Sequence, residues 1–358
     1  MRVCHIISGD QWAGAEVMNY RLLQGLKEFK DLELFAILLN EGKVAEEFRK
    51  LGVKVIVIQE SGRNFFELLA KTRRSVQTIS PDIVHSHRMK ENILAYHSSK
   101  SRKKSGLICT QHGMPEPLDG KMKALKRFVL SKYHFGILSR RFRKVVVVSE
   151  DIRNRFLRGY GFPEERIEMI HNGTDIPDRC REARNEGFFV IGSAGRLFPV
   201  KDYPLMVEIA REVTREASGV RFELAGEGPE KDRLLELIKK NGLERHFLLK
   251  GFVEDIPRFY EGLDLYINTS LHEGLPMSIL EAMSHGLPII APDTGGLREI
   301  IEDGRHGFLL KGRNPRAYSD SCLRLIANRA LLREMGDRSR EKIRNEFSCD
   351  EMTEKYYR

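Results

Sequence analysis

The chain has 358 residues and a formal net charge of +9, with 60 Lys+Arg against 51 Asp+Glu, a length that predicts two domains of about 170 to 180 residues, each able to bury its own core. Five scattered cysteines (Cys4, Cys109, Cys180, Cys322 and Cys349) without a C-x-x-C pair exclude a disulfide framework or a zinc cluster and read as reduced thiols of a cytoplasmic protein. Met1–Ser8 is too short and too soon interrupted for a signal peptide, and no apolar run approaches the ~18 residues of a membrane span, so the chain is expected to stay inside the cell without spanning its membrane.

Short apolar runs recur between amphipathic helical patterns, the βαβα signature of parallel sheets covered by helices on both faces. The predicted strands of the first half are Val3–Ser8, Glu33–Leu39, Val53–Ile58, Ile83–His85, Gly106–Thr110 and Lys144–Val148. Those of the second half are Phe189–Ala194, Arg221–Ala225, Phe247–Lys250, Leu265–Ile267, Pro288–Ala291 and Gly307–Leu309. Between the two sets, Ile176–Gly187 is polar, carries Pro177 and Asp178 and has no apolar period, which predicts a linker. Two doubly wound domains joined in this way imply a cleft, with ligands outside the carboxyl ends of the strands. Charge is divided unequally: residues 1–180 carry a net +11 and residues 181–358 a net −2, so a polyanion or an anionic membrane would meet the first domain.

Along the chain, Gly9–Glu16 joins the first strand to the first helix, where a glycine loop can approach phosphate. It is neither G-x-G-x-x-G nor a Walker loop, because Ala15 and Glu16 stand where Lys and Ser/Thr are needed, and Gly14 is its candidate contact. His85 and His87 are spaced like a metal pair but have no third ligand at a suggestive spacing, so they read as cleft-lining or supporting histidines. His112 lies just past a predicted strand, where it can donate a hydrogen bond and titrates near neutral pH. Residues 121–144 hold nine Lys/Arg and no Asp or Glu, interleaved with Leu125, Phe128, Val129, Leu130 and Tyr133. That stretch either lies on anionic lipid or is a solvated basic helix face packed by its apolar side; nucleic acid is disfavoured, since no binding motif accompanies the charge.

Ile191–Lys201 reads as a strand ending in small residues, then a loop carrying Arg196 and Lys201, then a helix with Pro204 near its start. Small residues let the backbone come close to a ligand, a planar fork and a compact charge suit a diphosphate, and the helix end adds positive potential. In His272–Ala282, Glu273 sits in a loop, Pro276 is predicted at the first helical position, and Glu281 follows about one turn inside the helix. The N–H groups of Met277 and Ser278 then point out of a helix N-terminus bearing about half a positive charge. An anion there, with two carboxylates beside it to hold hydroxyls, describes a nucleotide sugar.

The string Glu-Gly-x-Pro-x-x-x-x-Glu-Ala resembles the signature of the retaining GT-B glycosyltransferases of family 4. Gly14-Ala15-Glu16, His112-Gly113, Asn172-Gly173-Thr174-Asp175, Gly195-Arg196-Leu197 with Lys201, Gly226-Glu227-Gly228-Pro229 and Gly295-Gly296 follow the family's order over nearly all of the chain. The resemblance implies two Rossmann-like domains facing each other across a cleft: an acceptor-side domain at 1–178, a linker at 179–187, a nucleotide-sugar domain at 188–346, and a tail helix at 347–358 returning to the first domain. It implies that Arg196 and Lys201 neutralise the donor pyrophosphate, with Gly14, Gly226, Met277 and Ser278 also binding the donor. Glu281 would hold the ribose hydroxyls. Glu273, aided by the Gly274 and Leu275 N–H groups, would stabilise charge at the transferred sugar, and His112 would face that sugar and its phosphate. Ala13 departs from the family, which usually has glycine there.

The expected activity is transfer of a sugar from a nucleoside-diphosphate sugar, by family frequency a UDP-sugar, to a hydroxyl of a lipid-linked or saccharide acceptor with retention of configuration. No two aspartates lie two apart, so the D-x-D metal clamp is missing and neither a metal nor a cofactor is expected. The alternatives are a non-catalytic sugar-nucleotide-binding scaffold and a UDP-sugar epimerase of the same fold.

Overall fold

The computed structural model describes residues 1–9, 12–100, 105–113, 121–178 and 187–358, with the side chains of 121–127 left aside. The chain divides into two compact units: unit 1 is Met1–Asn172 with Cys349–Arg358, and unit 2 is Gly173–Ser348. The linker expected at 179–187 lies, but for Gly187, outside the described residues, as do Asp10, Gln11 and Cys180.

Unit 1 runs β1 (Arg2–Ile7), α1 (Gly14–Leu26), β2 (Glu33–Leu38), α2 (Lys43–Lys50), β3 (Lys54–Val57), α3 (Phe65–Ile79), β4 (Ile83–Ser86), α4 (Met89–Ser99), β5 (Gly106–Gln111), α5 (Lys121–Arg141), β6 (Lys144–Val147), α6 (Glu150–Asn154) and β7 (Ile167–Met169). Unit 2 runs β8 (Phe189–Ala194), α7 (Tyr203–Glu216), β9 (Val220–Ala225), α8 (Lys231–Lys240), β10 (Phe247–Gly251), α9 (Ile256–Glu261), β11 (Leu265–Ile267), α10 (Met277–Ser284), β12 (Ile289–Pro292), α11 (Leu297–Ile300), β13 (Gly307–Leu310), α12 (Pro315–Ala327) and α13 (Arg329–Glu346). The chain then re-enters unit 1 as α14 (Cys349–Tyr357).

Every strand pairing is parallel, in the orders β3-β2-β1-β4-β5-β6-β7 and β10-β9-β8-β11-β12-β13. Strands covered on both faces have no reason to alternate, and accordingly β8 is buried throughout and β1 from Val3 onward. β7 was not expected from the pattern: three residues after a short 3₁₀ turn are too few to show a period, and it takes its place by pairing with the end of β6. In each unit the order reverses next to the first strand, between β1 and β4 and between β8 and β11, and at such switch points ligands bind beyond the strand carboxyl ends.

α14 docks on α1 through contacts that leave no room for change. A Cβ on Gly25 would stand 2.1 Å from Thr353 Oγ1, Phe29 stacks on Tyr357 at 3.9 Å between ring centres, and Tyr356 shares a 2.8 Å hydrogen bond with Thr110 on β5. The core of unit 2 gathers Ile191, Leu205, Ile209, Phe222, Leu224, Ile267 and Ile290 from the sheet and its helices, each burial contributing about 1.5–3 kcal/mol for a side chain of this size.

Candidate active site

In unit 2 backbone hydrogen bonds hold the loop after β8 on the loop after β9. Gly195 N–H donates to Ala225 O at 2.9 Å, Leu197 N–H to Glu227 O at 2.9 Å, and Glu230 N–H to Leu197 O at 3.1 Å. A Cβ at Gly226 would lie 1.9 Å from the Gly195 oxygen, and one at Gly228 would lie 2.5 Å from the Leu197 oxygen. Gly226, singled out as a donor contact, is thus explained here by the close stacking of two loops.

On that platform a 3₁₀ turn, Pro199–Lys201, delivers Lys201 to the switch point, and the loop after β11 delivers Glu273. Lys201 Nζ lies 2.5 Å from Glu273 Oε1, and Ser270 Oγ donates to the same oxygen at 2.6 Å. The pair is mostly shielded, with 20% of the Lys201 and 13% of the Glu273 side chain exposed. Burial pushes the Glu273 carboxyl up, but the Lys201 charge and the hydrogen bonds from Lys201, Ser270 and Asn268 outweigh it and hold Glu273 below the usual carboxylate range. The group is therefore an anion at neutral pH. Its backbone is pinned as well: Gly295, at φ 56°, lies so close that a Cβ there would stand 2.1 Å from the Glu273 carbonyl oxygen, to which Gly296 N–H donates at 3.3 Å.

Residues that sequence reasoning did not single out hold this pair. Arg313, between β13 and α12, bonds the Asp202 carboxylate and donates to the carbonyls of Thr269 at 2.6 Å and Ser270 at 3.4 Å. Thr269 Oγ1 donates to the Lys201 carbonyl at 2.9 Å, and Asn268 Oδ1 accepts the Ser270 N–H at 3.0 Å. Asp202 itself sits at φ 45°, ψ 50°, a left-handed conformation that a non-glycine residue keeps only when its surroundings enforce it. The run Asn268-Thr269-Ser270 directly after a strand was the available signal; Arg313 had none.

Arg196 is exposed, its guanidinium 4.8 Å from the Phe198 ring centre. Gly274, Leu275 and Met277 are buried, and Ser278 is half-buried. The expected position of Pro276 shifts by one: it is the N-cap of α10, in extended conformation, and the helix opens at Met277. The correction leaves Met277 and Ser278 as the first helical residues, whose N–H groups precede any acceptor within the helix. Glu281 is buried on α10 and accepts the Tyr260 hydroxyl at 2.9 Å on Oε2.

In unit 1, Gly14 opens α1. Glu16, two residues on, is buried and paired at 2.5 Å with Arg88, the N-cap of α4. His112 follows β5 directly. The sequence offered His85 and His87 no third partner, yet β1 brings His5 beside both of them: His5 Nδ1 is 3.3 Å from His87 Nε2, and His87 Nδ1 is 3.3 Å from His112 Nε2. His85 Nε2 pairs with Thr110 Oγ1 at 2.8 Å. Burial lowers His5 from its usual 6.5 to about 4, and burial with the Arg88 charge lowers His112 to about 3. His85 and His87 are lowered as well, by burial first, then His85 by His5 and His112, and His87 by His85, His112, His5 and Arg88. These rings are neutral at physiological pH. On α5, Phe128, Val129, Leu130 and Tyr133 are exposed and Lys132 lies over the Phe128 ring, whereas Phe135, Ile137 and Leu138 are buried. Lys121, Lys123, Leu125, Lys126 and Arg127 have side chains outside the described residues. Among the described residues no helix is long and apolar enough to cross a membrane.

Two family models match in succession, Glycosyltransferase Family 4 over residues 12–177 and Glycosyl transferases group 1 over residues 176–342. The chain belongs to glycosyltransferase family 4. Its family-4 half coincides with most of unit 1 and its group 1 half with most of unit 2. The poly(ribitol-phosphate) alpha-N-acetylglucosaminyltransferase of Staphylococcus aureus is 29% identical over 72% of this chain, which spans half the length of that relative. A UDP-Gal:alpha-D-GlcNAc-diphosphoundecaprenol alpha-1,3-galactosyltransferase of Escherichia coli is 25% identical over 76% of this chain and 73% of its own. Anabaena HepE, solved in complex with UDP-glucose, superposes with a TM-score of 0.84 at 20% identity, covering 99% of this chain and 97% of its own. The architecture of this glycosyltransferase is therefore GT-B, two parallel-sheet Rossmann-like units.

Proposed function

We propose that this glycosyltransferase moves a hexosyl group from a UDP-sugar to a hydroxyl of a cell-surface polysaccharide or lipid-linked saccharide, with retention of configuration and without a metal ion. The observation that carries the reading is the Lys201–Glu273–Ser270 cluster at the switch point of unit 2, next to the first turn of α10. As the anomeric C–O bond breaks, electrons pass to the diphosphate oxygen. Lys201 and Arg196 neutralise that charge, and the N–H groups of Met277 and Ser278 add a positive helix end. Glu273, ionised and flanked by the Gly274 and Leu275 backbone, opposes the positive charge growing on the sugar. Glu281, its orientation set by Tyr260, takes the ribose hydroxyls, Gly14 approaches the donor through its backbone, and His112 donates a hydrogen bond to the sugar or its phosphate. The named substrates of the S. aureus and E. coli relatives, and the UDP-glucose bound by HepE, support the donor and acceptor classes.

The first test is a thermal-shift screen against UDP-, GDP- and ADP-sugars. Stabilisation of about 2.7 kcal/mol is expected at 100 times the Kd of the true donor, removed by Arg196→Ala. Turnover with the stabilising donor should persist in EDTA and give a product anomer matching the donor by NMR. Unchanged donor turnover in Glu273→Ala would overturn this mechanism, and stabilisation by none of the sugar nucleotides would put the scaffold reading ahead. We also infer that residues 121–144 rest on the anionic inner face of the membrane. The exposed Phe128, Val129, Leu130 and Tyr133 beside Lys132 support this, and sedimentation with anionic liposomes at low salt tests it.

A further inference from the structure

The histidines on and just past the strands of unit 1 are not independent side chains. His5 Nδ1 pairs with His87 Nε2 and His87 Nδ1 pairs with His112 Nε2, each at 3.3 Å. A hydrogen bond between two neutral imidazoles needs an N–H on one and a bare nitrogen on the other, and each neutral ring owns one of each. Three rings in series therefore have only two proton arrangements. In one, His5 Nδ1–H donates to His87, His87 Nδ1–H donates to His112, and the last proton sits on His112 Nδ1. In the other every bond is reversed, His112 Nδ1 is bare, and the last proton sits on His5 Nε2.

The two end atoms decide between them. His5 Nε2 and His112 Nδ1 are both buried atoms without a hydrogen-bond partner among the described residues. His5 is wholly enclosed on β1, where an orphaned N–H is worse tolerated than an unused lone pair. At His112, past the end of β5, the Nδ1 is covered too, but the residue is only half-buried and less enclosed than His5, so the orphaned proton is better tolerated there. His85 stands outside the series. Its Nε2 is engaged by Thr110, which also bonds Tyr356 of α14, and its ring packs 4.2 Å from His87 and 4.8 Å from His5 between centres, holding both in place.

We propose that His5 and His87 are positioning residues which lock His112 in its Nδ1–H tautomer, so that it meets its ligand as a neutral hydrogen-bond donor. This rests on the proposal that His112 faces the donor sugar. The depressed basicity of His87 and His112 agrees with it, because a proton added to either ring would occupy the nitrogen that accepts a bond of the series.

The tautomer is read directly by long-range ¹H–¹⁵N NMR of the ¹⁵N-histidine-labelled protein without ligand at pH 7.5, with the His112 signals identified by their loss in His112→Asn. A protonated Nδ1 and bare Nε2 are expected. His87→Leu should move His112 to the Nε2–H form that an isolated histidine prefers. His87→Gln, whose amide accepts from His5 and donates to His112, should retain Nδ1–H. An Nε2–H signature for His112 in the wild-type protein overturns the proposal whatever the variants do, and so does a folded His87→Leu protein that keeps Nδ1–H. One ring nitrogen from each of His5, His85 and His87 lies within 4.8 Å of the other two, so a stoichiometric metal found on them by elemental analysis would also overturn it, since a metal-bound nitrogen carries no proton. Because the spectrum is recorded without donor or acceptor, its failure is distinct from a failure of sugar transfer, which turnover reports.

Discussion

At the residue scale, the shielded pair of Lys201 and Glu273 makes the carboxylate's charge depend on its partner. Lys201→Met leaves a carboxylate to neutralise itself by taking up a proton, so its pKa should rise. Stability should fall by about 1–3 kcal/mol, less than for a fully buried pair, and turnover by about 10²–10³; urea unfolding and kcat measure the two. Arg313→Ala should lower turnover about tenfold without touching the donor. Arg313→Lys should not restore it, because the guanidinium reaches the Ser270 carbonyl with Nη1 and Asp202 and Thr269 with Nη2, a spread that one ammonium nitrogen does not have. The histidines carry a pH signature. Their folded pKa values lie below the unfolded 6.5, so the unfolded chain binds more protons in the window between, and their stability contribution, full above about pH 6.5, is lost as the pH falls toward 4. About 2 kcal/mol per such histidine should be gone by pH 5, seen as a falling melting temperature whose slope is reduced in His5→Phe. None of these partnerships was legible in the sequence. His5 and His85 are 80 positions apart, as are many unrelated pairs, and Arg313 meets Asp202 only because β13 and β8 belong to one sheet. Lys201, Glu273 and Glu281 could be singled out as candidates because their motifs hold them at fixed offsets, Lys201 in the loop after β8 and the two glutamates in one loop and the helix that follows it.

At the scale of elements, strands buried on both faces announced themselves as unbroken apolar runs, and the loops between them as glycine clusters. What escaped was the element too short to have a period, β7, and the single-residue offset of Pro276, since a helix start is defined by sequence only to within a residue or two. The glycine loops have a sharper logic than flexibility. Gly226 and Gly195 touch backbone to backbone, so Gly226→Ala should displace the loop that carries Arg196 and Lys201. A loss of more than about 2 kcal/mol is expected, with donor binding weakened along with it, measured by denaturant titration and thermal shift. Substitution at Gly242, around which a Cβ would meet nothing within 4 Å, serves as the control for crowding.

At the scale of the whole molecule, the chain builds most of unit 1, then all of unit 2, then returns to unit 1 with α14. Unit 2 is thus a contiguous segment, whereas unit 1 is split. A fragment spanning 173–348 should fold cooperatively alone by circular dichroism. A fragment spanning 1–172 should melt well below the intact protein, because Gly25, Phe29 and Thr110 lose Thr353, Tyr357 and Tyr356, and a peptide of residues 349–358 added at high concentration should recover part of the difference.

The docking of α14 also sets a schedule. A protein usually completes its domains in the order in which the ribosome releases them, but here residues 349–358 are synthesised after everything in unit 2. The first unit to begin is therefore the last to be finished. Throughout elongation its α1 face waits uncovered, and a nascent chain stalled short of Cys349 would present a nearly whole second unit beside a first one that quality-control proteases can still recognise.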